Sequence, residues 1–271
     1  MNKFTIFGGH GFIGSEIALQ LQQVGDTVMC VGRDNWPKVG SELGQVIFCI
    51  GMTADFRKRL VETFEIQTVC LHNALTRYQY ESFLYLSSAR VYNDACSTLE
   101  DAPLLVRPTS VDHVYNISKL AGESLCFAFD NPRVRVARLS NVYGSQDNSN
   151  LFMTSVIRDA LTHGQITIHQ NATSSKDYVA VEDAAAILIE IARRGSERIY
   201  NVASGRNFSH QQIANVLEQH GAKVRFDIDG PIVTFPRIDT SRVTCEFGRA
   251  VIDPAIRIPE ILNKLRRKNK V

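Results

Sequence analysis

Apolar residues arrive along this 271-residue chain in short continuous runs, separated by stretches with a helical period. The runs "KFTIFG" (3–8), "TVMCVG" (27–32), "QVIFCIG" (45–51), "FLYLSS" (83–88) and "RVRVARL" (133–139) are rich in β-formers and lack strict alternation. That pattern predicts strands buried on both faces. Between the first two, "GFIGSEIALQLQQVG" (11–25) puts Phe12, Ile17, Leu21 and Val24 on one side of a helix. Further helical stretches fall near 56–77 and 114–129. Buried strands alternating with helices predict an α/β fold, a doubly wound parallel sheet with helices on both faces.

After residue 140 the texture changes. Polar loops such as "NVYGSQDNSN" and "HQNATSSKD" alternate with a helix near 151–163, a strand at 165–169 and helices at 182–193 and near 209–219. We expect a core over 1–145, joined by about 177–203, and a smaller interleaved α/β region over 146–271 that carries substrate contacts.

A formal net charge of +2 points to no polyanion partner. The one basic cluster, "KLRRKNK", reads as a solvated, frayed end. No apolar run approaches the roughly 20 residues of a membrane span, and "MNKFTIFGG" is too short an apolar run for a signal peptide. The cysteines at 30, 49, 70, 96, 126 and 245 show no CxxC and no metal spacing, and read as buried free thiols of a cytoplasmic protein. The sequons beginning at Asn116, Asn171 and Asn207 are then chance matches.

"FGGHGFIG" follows the first strand and opens the first helix. Gly8 suits a tight turn, Gly11 a close backbone approach to a pyrophosphate, and Gly14 close packing of helix on sheet. The free N–H groups of the helix start favour phosphate. In this strand–loop–helix context the triplet indicates dinucleotide binding, in a Rossmann-like core. At the end of the second strand, an acid would accept the ribose of NAD and an arginine the 2′-phosphate of NADP. Here Gly32 stands at the acid's place, followed by Arg33 and Asp34. The reading leans to NADP through Arg33; the other is a solvated Arg33, with NAD held by Asp34 or the backbone.

Tyr115 and Lys119 stand four apart, on one face of a helix. Alone they read as an ordinary surface pair. With "GGHGFIG" (8–14), "YLSSARVY" (85–92), "YNISKLAGE" (115–123), "RLSNVYG" (138–144), "SKDYVAVEDAA" (175–185) and "IYNVASG" (199–205) in this order, the chain resembles the extended short-chain dehydrogenase/reductase family. Within it, the closest resemblance is to the NAD(P)-dependent nucleotide-sugar epimerases, dehydratases and reductases. The resemblance implies that Tyr115 exchanges a proton with the substrate oxygen as hydride moves, and that Lys119 bonds the nicotinamide ribose. A nearby ammonium would lower the phenol's ordinary pKa of about 10. It also implies that Ser88 hydrogen-bonds the substrate oxygen; the alternative is a strand-end serine capping a turn. Cofactor contacts are implied for Gly8, Gly11, Phe12, Ile13, Gly14, Arg33 and Gly51, and substrate contacts for Thr53, Ser88, Arg90, Asn141 and Lys176. Asn141 as a turn-former and Lys176 as surface charge are the alternatives. Lys176 stands where the family has a diphosphate-gripping Arg, keeping the charge without the bidentate fork.

Two departures narrow the chemistry. The 4,6-dehydratases carry an Asp–Glu pair where this chain has Ala89 and Arg90, and the GDP-fucose-forming enzymes a Cys at Arg90. Neither residue here can act as a carboxylate, which excludes that elimination and leaves redox at a ring carbon. Only about a dozen residues, "DNWPKVGSELG", precede the fourth-strand equivalent, whereas a crossover unit needs about 30. The family's third strand is therefore expected to be missing or vestigial, with Trp36 either an adenine wall or a buried structural residue. The reading favoured is an NADP-dependent reductase of a 4-keto nucleotide sugar. A 4-epimerase with tightly bound NAD and a non-catalytic NADP-binding sensor or scaffold are the alternatives. The family also implies a homodimer through the helices at 56–77 and 114–129.

Overall fold

The computed structural model describes residues 1–36, 39–52, 56–145, 151–227, 229–248 and 251–268. Strands β1 (Lys3–Phe7), β2 (Thr27–Val31), β3 (Gln45–Phe48), β4 (Ser82–Ser88), β5 (Val134–Leu139) and β9 (Ile199–Val202) form one sheet in the order β2-β1-β3-β4-β5-β9. Every pairing in it is parallel. Strands β3, β4 and β5 are buried along nearly their whole length, as their unbroken apolar runs require. Helices α1 (Phe12–Gln23) and α5 (Val181–Arg194) cover one face; α2 (Leu60–Arg77) and α3 (His113–Ala128) cover the other.

The sheet ends at β2, which pairs with β1 alone among the described residues, so the third strand is absent there. Trp36 takes the structural role. Its ring packs on Phe7 (centroids 4.8 Å apart) and Phe48 (6.5 Å), on the α2–α3 face. Each such aromatic contact contributes roughly 0.5–1.5 kcal/mol beyond area burial. The link then returns along Leu43, whose carbonyl accepts from buried Thr5 Oγ1 at 2.8 Å. Trp36 and Leu43 thus pave the sheet's face where a crossover would otherwise run.

The second region contains β6 (Asn141–Tyr143), α4 (Phe152–Thr162), β7 (Gln165–Ile168), β8 (Ser175–Ala180), β10 (Asn207–Ser209), α6 (His210–Gln219), β11 (Lys223–Phe226), α7 (Ser241–Phe247) and α8 (Pro254–Lys268). Its strands make a β10-β8-β6 sheet and a β11-β7 pair. A separate core of Met153, Ile157, Ile213, Leu217, Ile258 and Leu262 holds it together. While α7 and α8 belong to this stretch of chain, Val243 of α7 packs into the core under the large sheet.

Several expectations change. The tail "KLRRKNK" is helical through Lys268, because Ile258, Ile261 and Leu262 of α8 are buried and anchor it despite Pro259 inside the helix. Val24 lies beyond the end of α1 and is exposed, since Gly25 turns the chain at φ +82°. All six cysteines are free, but only Cys126 is buried; Cys30, Cys49 and Cys70 are half-buried, and Cys96 and Cys245 are exposed. Asn116 is buried in α3 beside Ser118, whose hydroxyl bonds Gln67 of α2 at 3.0 Å, so that sequon is packed inside the molecule. No helix among the described residues is long and apolar enough to cross a membrane.

Candidate active site and glycine loop

The glycine loop closes on itself. Gly8, at φ +79°, donates to the Val31 carbonyl at 2.8 Å, and Gly11 N–H donates to the Gly8 carbonyl at 2.9 Å. A Cβ on Gly14 would lie 2.3 Å from the Gly8 carbonyl oxygen, so only glycine lets α1 start so near the sheet. Gly11 is the N-cap of α1 and carries no side-chain cap. The first-turn amides, at Phe12 and Ile13, therefore present their charge to a phosphate with no side chain competing. The cradle fits a dinucleotide pyrophosphate.

At the loop's open side, Arg33 and Asp34 are exposed, and Arg33 makes no hydrogen bond or ion pair with a described residue. The end of β2 is instead tied by Asn35, whose Oδ1 accepts from Gly32 N–H at 2.6 Å and whose Nδ2 donates to the Cys30 carbonyl at 2.8 Å. A side chain at Gly32 would press on His10.

The carboxyl end of β4 and the first turns of α3 bring the second group together. Gly122 permits the approach: a Cβ there would fall 2.5 Å from the Tyr85 hydroxyl. Tyr115 and Lys119 are 3% and 4% exposed, so the surface-pair reading does not hold. The Tyr115 ring packs on Phe56, centroids 5.1 Å apart. Burial pushes its phenol up to about 12, against the hydrogen-bonding Ser88 hydroxyl and the positive charge of Arg90, which both act to lower it. Arg90 thus adds a cation near the phenol, in addition to the Lys119 that the sequence suggested. Ser88 also caps the 3-10 turn over Ala89–Tyr92, accepting from Arg90 N–H at 3.2 Å. The turn-cap reading of that serine therefore holds, and its hydroxyl stands beside the Tyr115 phenol.

Lys119 donates to the Leu86 carbonyl at 2.9 Å, with its Nζ 5.1 Å from the Tyr85 ring centre and 6.0 Å from the Tyr115 ring centre. Burial brings its ammonium down to about 8, opposed by the charge of Glu123 and by Cys49. A Cβ on Gly51 would come 3.4 Å from that Nζ, so Gly51 keeps open the space in front of the lysine. Thr53 lies outside the described residues.

Sequence reasoning missed what stands behind these groups. Glu123 accepts from Arg138 twice, at 2.7 and 3.0 Å, and from the Ser87 hydroxyl at 2.5 Å. Arg138 also donates to the Tyr92 hydroxyl at 2.7 Å, which donates to Asn201 Oδ1 at 2.9 Å. Burial works against the Arg138 charge, but Glu123 and Tyr92 hold its pKa above the ordinary value. The signal was present: Glu123 follows Lys119 by four residues and Arg138 opens "RLSNVYG".

A basic group lies on the other side of Tyr115. The Arg90 guanidinium sits 5.2 Å from the Phe56 ring centre, and Arg57 stands 4.6 Å from the same ring while pairing with Asp112. Lys176 of β8 lies 5.6 Å from the Phe235 ring centre; burial, then Arg90 and Arg57, lower its pKa. Asn141 on β6 is exposed and donates to the Asp177 carbonyl at 2.8 Å, which links the two strands. The Asp177 carboxylate takes Ser204 and Arg206 amides at 2.9 and 3.1 Å, a fixed corner beside Lys176.

Residues 46–203 match the family model described as the NAD dependent epimerase/dehydratase family. Among curated proteins, UDP-glucuronic acid decarboxylase 2 of Arabidopsis thaliana is 22% identical over 252 residues, covering 80% of this chain and 56% of that protein. The chain spans little more than half the length of the curated relatives it matches. Among solved structures, TunA, an NAD dependent NDP-hexosamine 5,6-dehydratase involved in tunicamycin biosynthesis, is similar with a TM-score of 0.82, at 20% identity and 98% coverage of each chain. A UDP-glucuronic acid 4-epimerase from Bacillus cereus, solved with NAD and a fluorinated UDP-glucuronic acid, has a TM-score of 0.81, at 16% identity, covering 97% of this chain and 99% of that one. Structures of this fold carry NAD or NADPH. The family model alone spans more than half of the sequence, from β3 to the end of β9 and across the whole Tyr115–Lys119 segment, and the chain belongs to the NAD dependent epimerase/dehydratase family.

Proposed function

We propose that the chain binds NAD(P) and a nucleotide sugar and carries out redox chemistry at a ring carbon, in the direction of reducing a 4-keto sugar with NADP. The observation that carries this reading is the buried Tyr115 beside Ser88. Burial pushes the phenol up to about 12, which keeps it a proton donor at neutral pH. Reduction asks for that: Ser88 polarises the ketone oxygen and Tyr115 protonates it as charge develops there. NADPH, the reduced form, would supply the hydride when bound. Lys119, in front of Gly51, holds the ribose and adds its charge near the reacting oxygen. Ala89 and Arg90, following Ser88, provide no carboxylate for eliminating water.

The NADP preference rests on Arg33, which is exposed and has no partner among the described residues. A 4-epimerase that retains NAD is the second reading, favoured by the likeness to the Bacillus cereus epimerase. Heat-releasing nucleotide from the purified protein separates the two. The reductase arrives empty and oxidises NADPH on addition of a 4-keto nucleotide sugar. The epimerase arrives with stoichiometric NAD and interconverts C4 epimers without consuming cofactor. Neither outcome, with no nucleotide sugar raising the melting temperature, overturns the substrate class. A homodimer through α2 and α3 belongs to the proposal, supported by exposed Val61, Phe64 and Val69 on α2; sedimentation as a monomer at micromolar concentration would remove it.

A further inference from the structure

Arg90 and Lys176 are two half-buried cations that no described carboxylate pairs with. Arg57, the third member of the cluster, is already neutralised by Asp112 at 2.7 Å. The Arg90 Nε is buried and has no hydrogen-bond partner, an arrangement that costs free energy unless a ligand supplies an acceptor. Burial, then the neighbouring Arg57, lower the Arg90 pKa while Asp112 and Tyr115 act to raise it, and Lys176 in turn feels Arg90 and Arg57, so three cations share the one carboxylate of Asp112.

The two cations lie at different places. Lys176 is on β8, in the second region, beside Phe235 and the Asp177 corner. Arg90 is two residues beyond Ser88, its amide bonded to the Ser88 hydroxyl and its guanidinium on the same Phe56 ring that packs against Tyr115. A group held by Arg90 is therefore attached near the reacting carbon, on the sugar itself. A diphosphate reaches the site from the nucleotide side and fits Lys176. Guanidinium and carboxylate match as a bidentate fork, and partial burial strengthens the pair over one in water.

We propose that Arg90 binds a carboxylate carried by the sugar ring, making the substrate a nucleotide-linked uronic acid, with Lys176 serving the diphosphate. This rests on the nucleotide-sugar reading above. It sets a specificity that the Tyr115–Lys119–Ser88 group cannot provide, since those residues address only the reacting oxygen and the cofactor. The same Arg90 charge would be balanced by the carboxylate on binding, leaving less of it to act on Tyr115.

The test is calorimetric titration of the full chain, with NADP present, against UDP, UDP-glucose and UDP-glucuronic acid, with the corresponding GDP and dTDP compounds as a second panel. Wild type should bind the uronic acid at least about tenfold more tightly than the neutral sugar of the same nucleotide. Arg90→Gln should bring the two within about threefold, and Arg90→Lys should restore part of the preference. Lys176→Gln should weaken the acid, the neutral sugar and the bare nucleoside diphosphate alike. A fold defect in Arg90→Gln would lower all three affinities together, so the acid-to-neutral ratio is the readout. Equal wild-type affinities for acid and neutral sugars, or a ratio that Arg90→Gln leaves intact, overturns the inference while the nucleotide-sugar reading stands. If no nucleotide sugar binds at all, that reading falls and this one with it.

Discussion

The surroundings of Tyr115 and the open end beyond β2 are built to different standards. Around Tyr115 the side chains are almost wholly buried, and behind Lys119 a bidentate Glu123–Arg138 pair, Ser87, Tyr92 and Asn201 satisfy one another. Beyond β2 the sheet stops, Arg33 and Asp34 face solvent, and one asparagine ties the strand end. The difference follows from where a parallel sheet can lose material. Removing an outer strand frees hydrogen-bonding groups along one side of β2, where water reaches them. Removing an inner strand would unpair two neighbours inside the core. The chain therefore sheds a crossover at the edge while the centre, which positions Tyr115, stays intact.

The largest expected effect strikes the buried end. Tyr115→Phe keeps the ring on Phe56 but removes the proton donor, so turnover should fall about 10²–10⁴-fold with the melting temperature little changed. Full activity in that variant would take Tyr115 out of the chemistry. Glu123→Ala leaves Arg138 buried without its counter-charge, and should cost about 3–5 kcal/mol in denaturant unfolding. A loss below about 1 kcal/mol would mean that water replaces Glu123 and that the end is less closed than its burial indicates.

Lys119 gives a smaller, pH-dependent effect. Its ammonium is brought down to about 8 in the fold, whereas the unfolded chain keeps its proton to about 10.4. Between those values the unfolded state binds more protons, so this group makes stability rise with pH, by about 2 kcal/mol from pH 8 to 10. The buried thiols, with raised pKa values, slope the other way. The difference between wild type and Lys119→Met isolates the lysine, and an unchanged slope in that variant would contradict its assigned shift. At the open end the effect is smallest. Arg33→Ala should weaken NADP about tenfold, leave NAD unchanged and shift stability by less than about 0.5 kcal/mol. Equal weakening of both cofactors would remove the 2′-phosphate role.

Legibility followed chemistry and period. The glycine loop, five of the six strands of the large sheet (all but β9) and the missing third strand were readable, because continuous apolar runs and an 11–25 helix leave few alternatives. Short elements such as β10 and β11 were not, since three or four half-buried residues carry no period of their own. Among the site residues, Ser88, Tyr115 and Lys119 were named from motifs and the fold gathers them. Phe56 carries no motif; its role comes from packing between Tyr115 and Arg90. The action of Arg90 on Tyr115 was not legible, for a geometric reason. A residue four places along the helix is near in sequence, yet Lys119 turns toward Leu86 and Gly51, while Arg90 arrives from the strand end opposite.

The sequence by itself determined the alternation of buried strands and helices, the phosphate-cradling loop, the Tyr115–Lys119 spacing and the lack of a carboxylate after Ser88. These are local patterns, fixed by period, glycine and residue type. Only the tertiary structure decided that Trp36 paves the sheet, that Glu123 and Arg138 neutralise each other under the site, and that Arg90 and Lys176 form no ion pair with a described carboxylate. Those are statements about which charges meet in a low-dielectric interior. They depend on approach between elements distant in the chain, such as β4, α3 and β8, and no spacing along the sequence sets that distance.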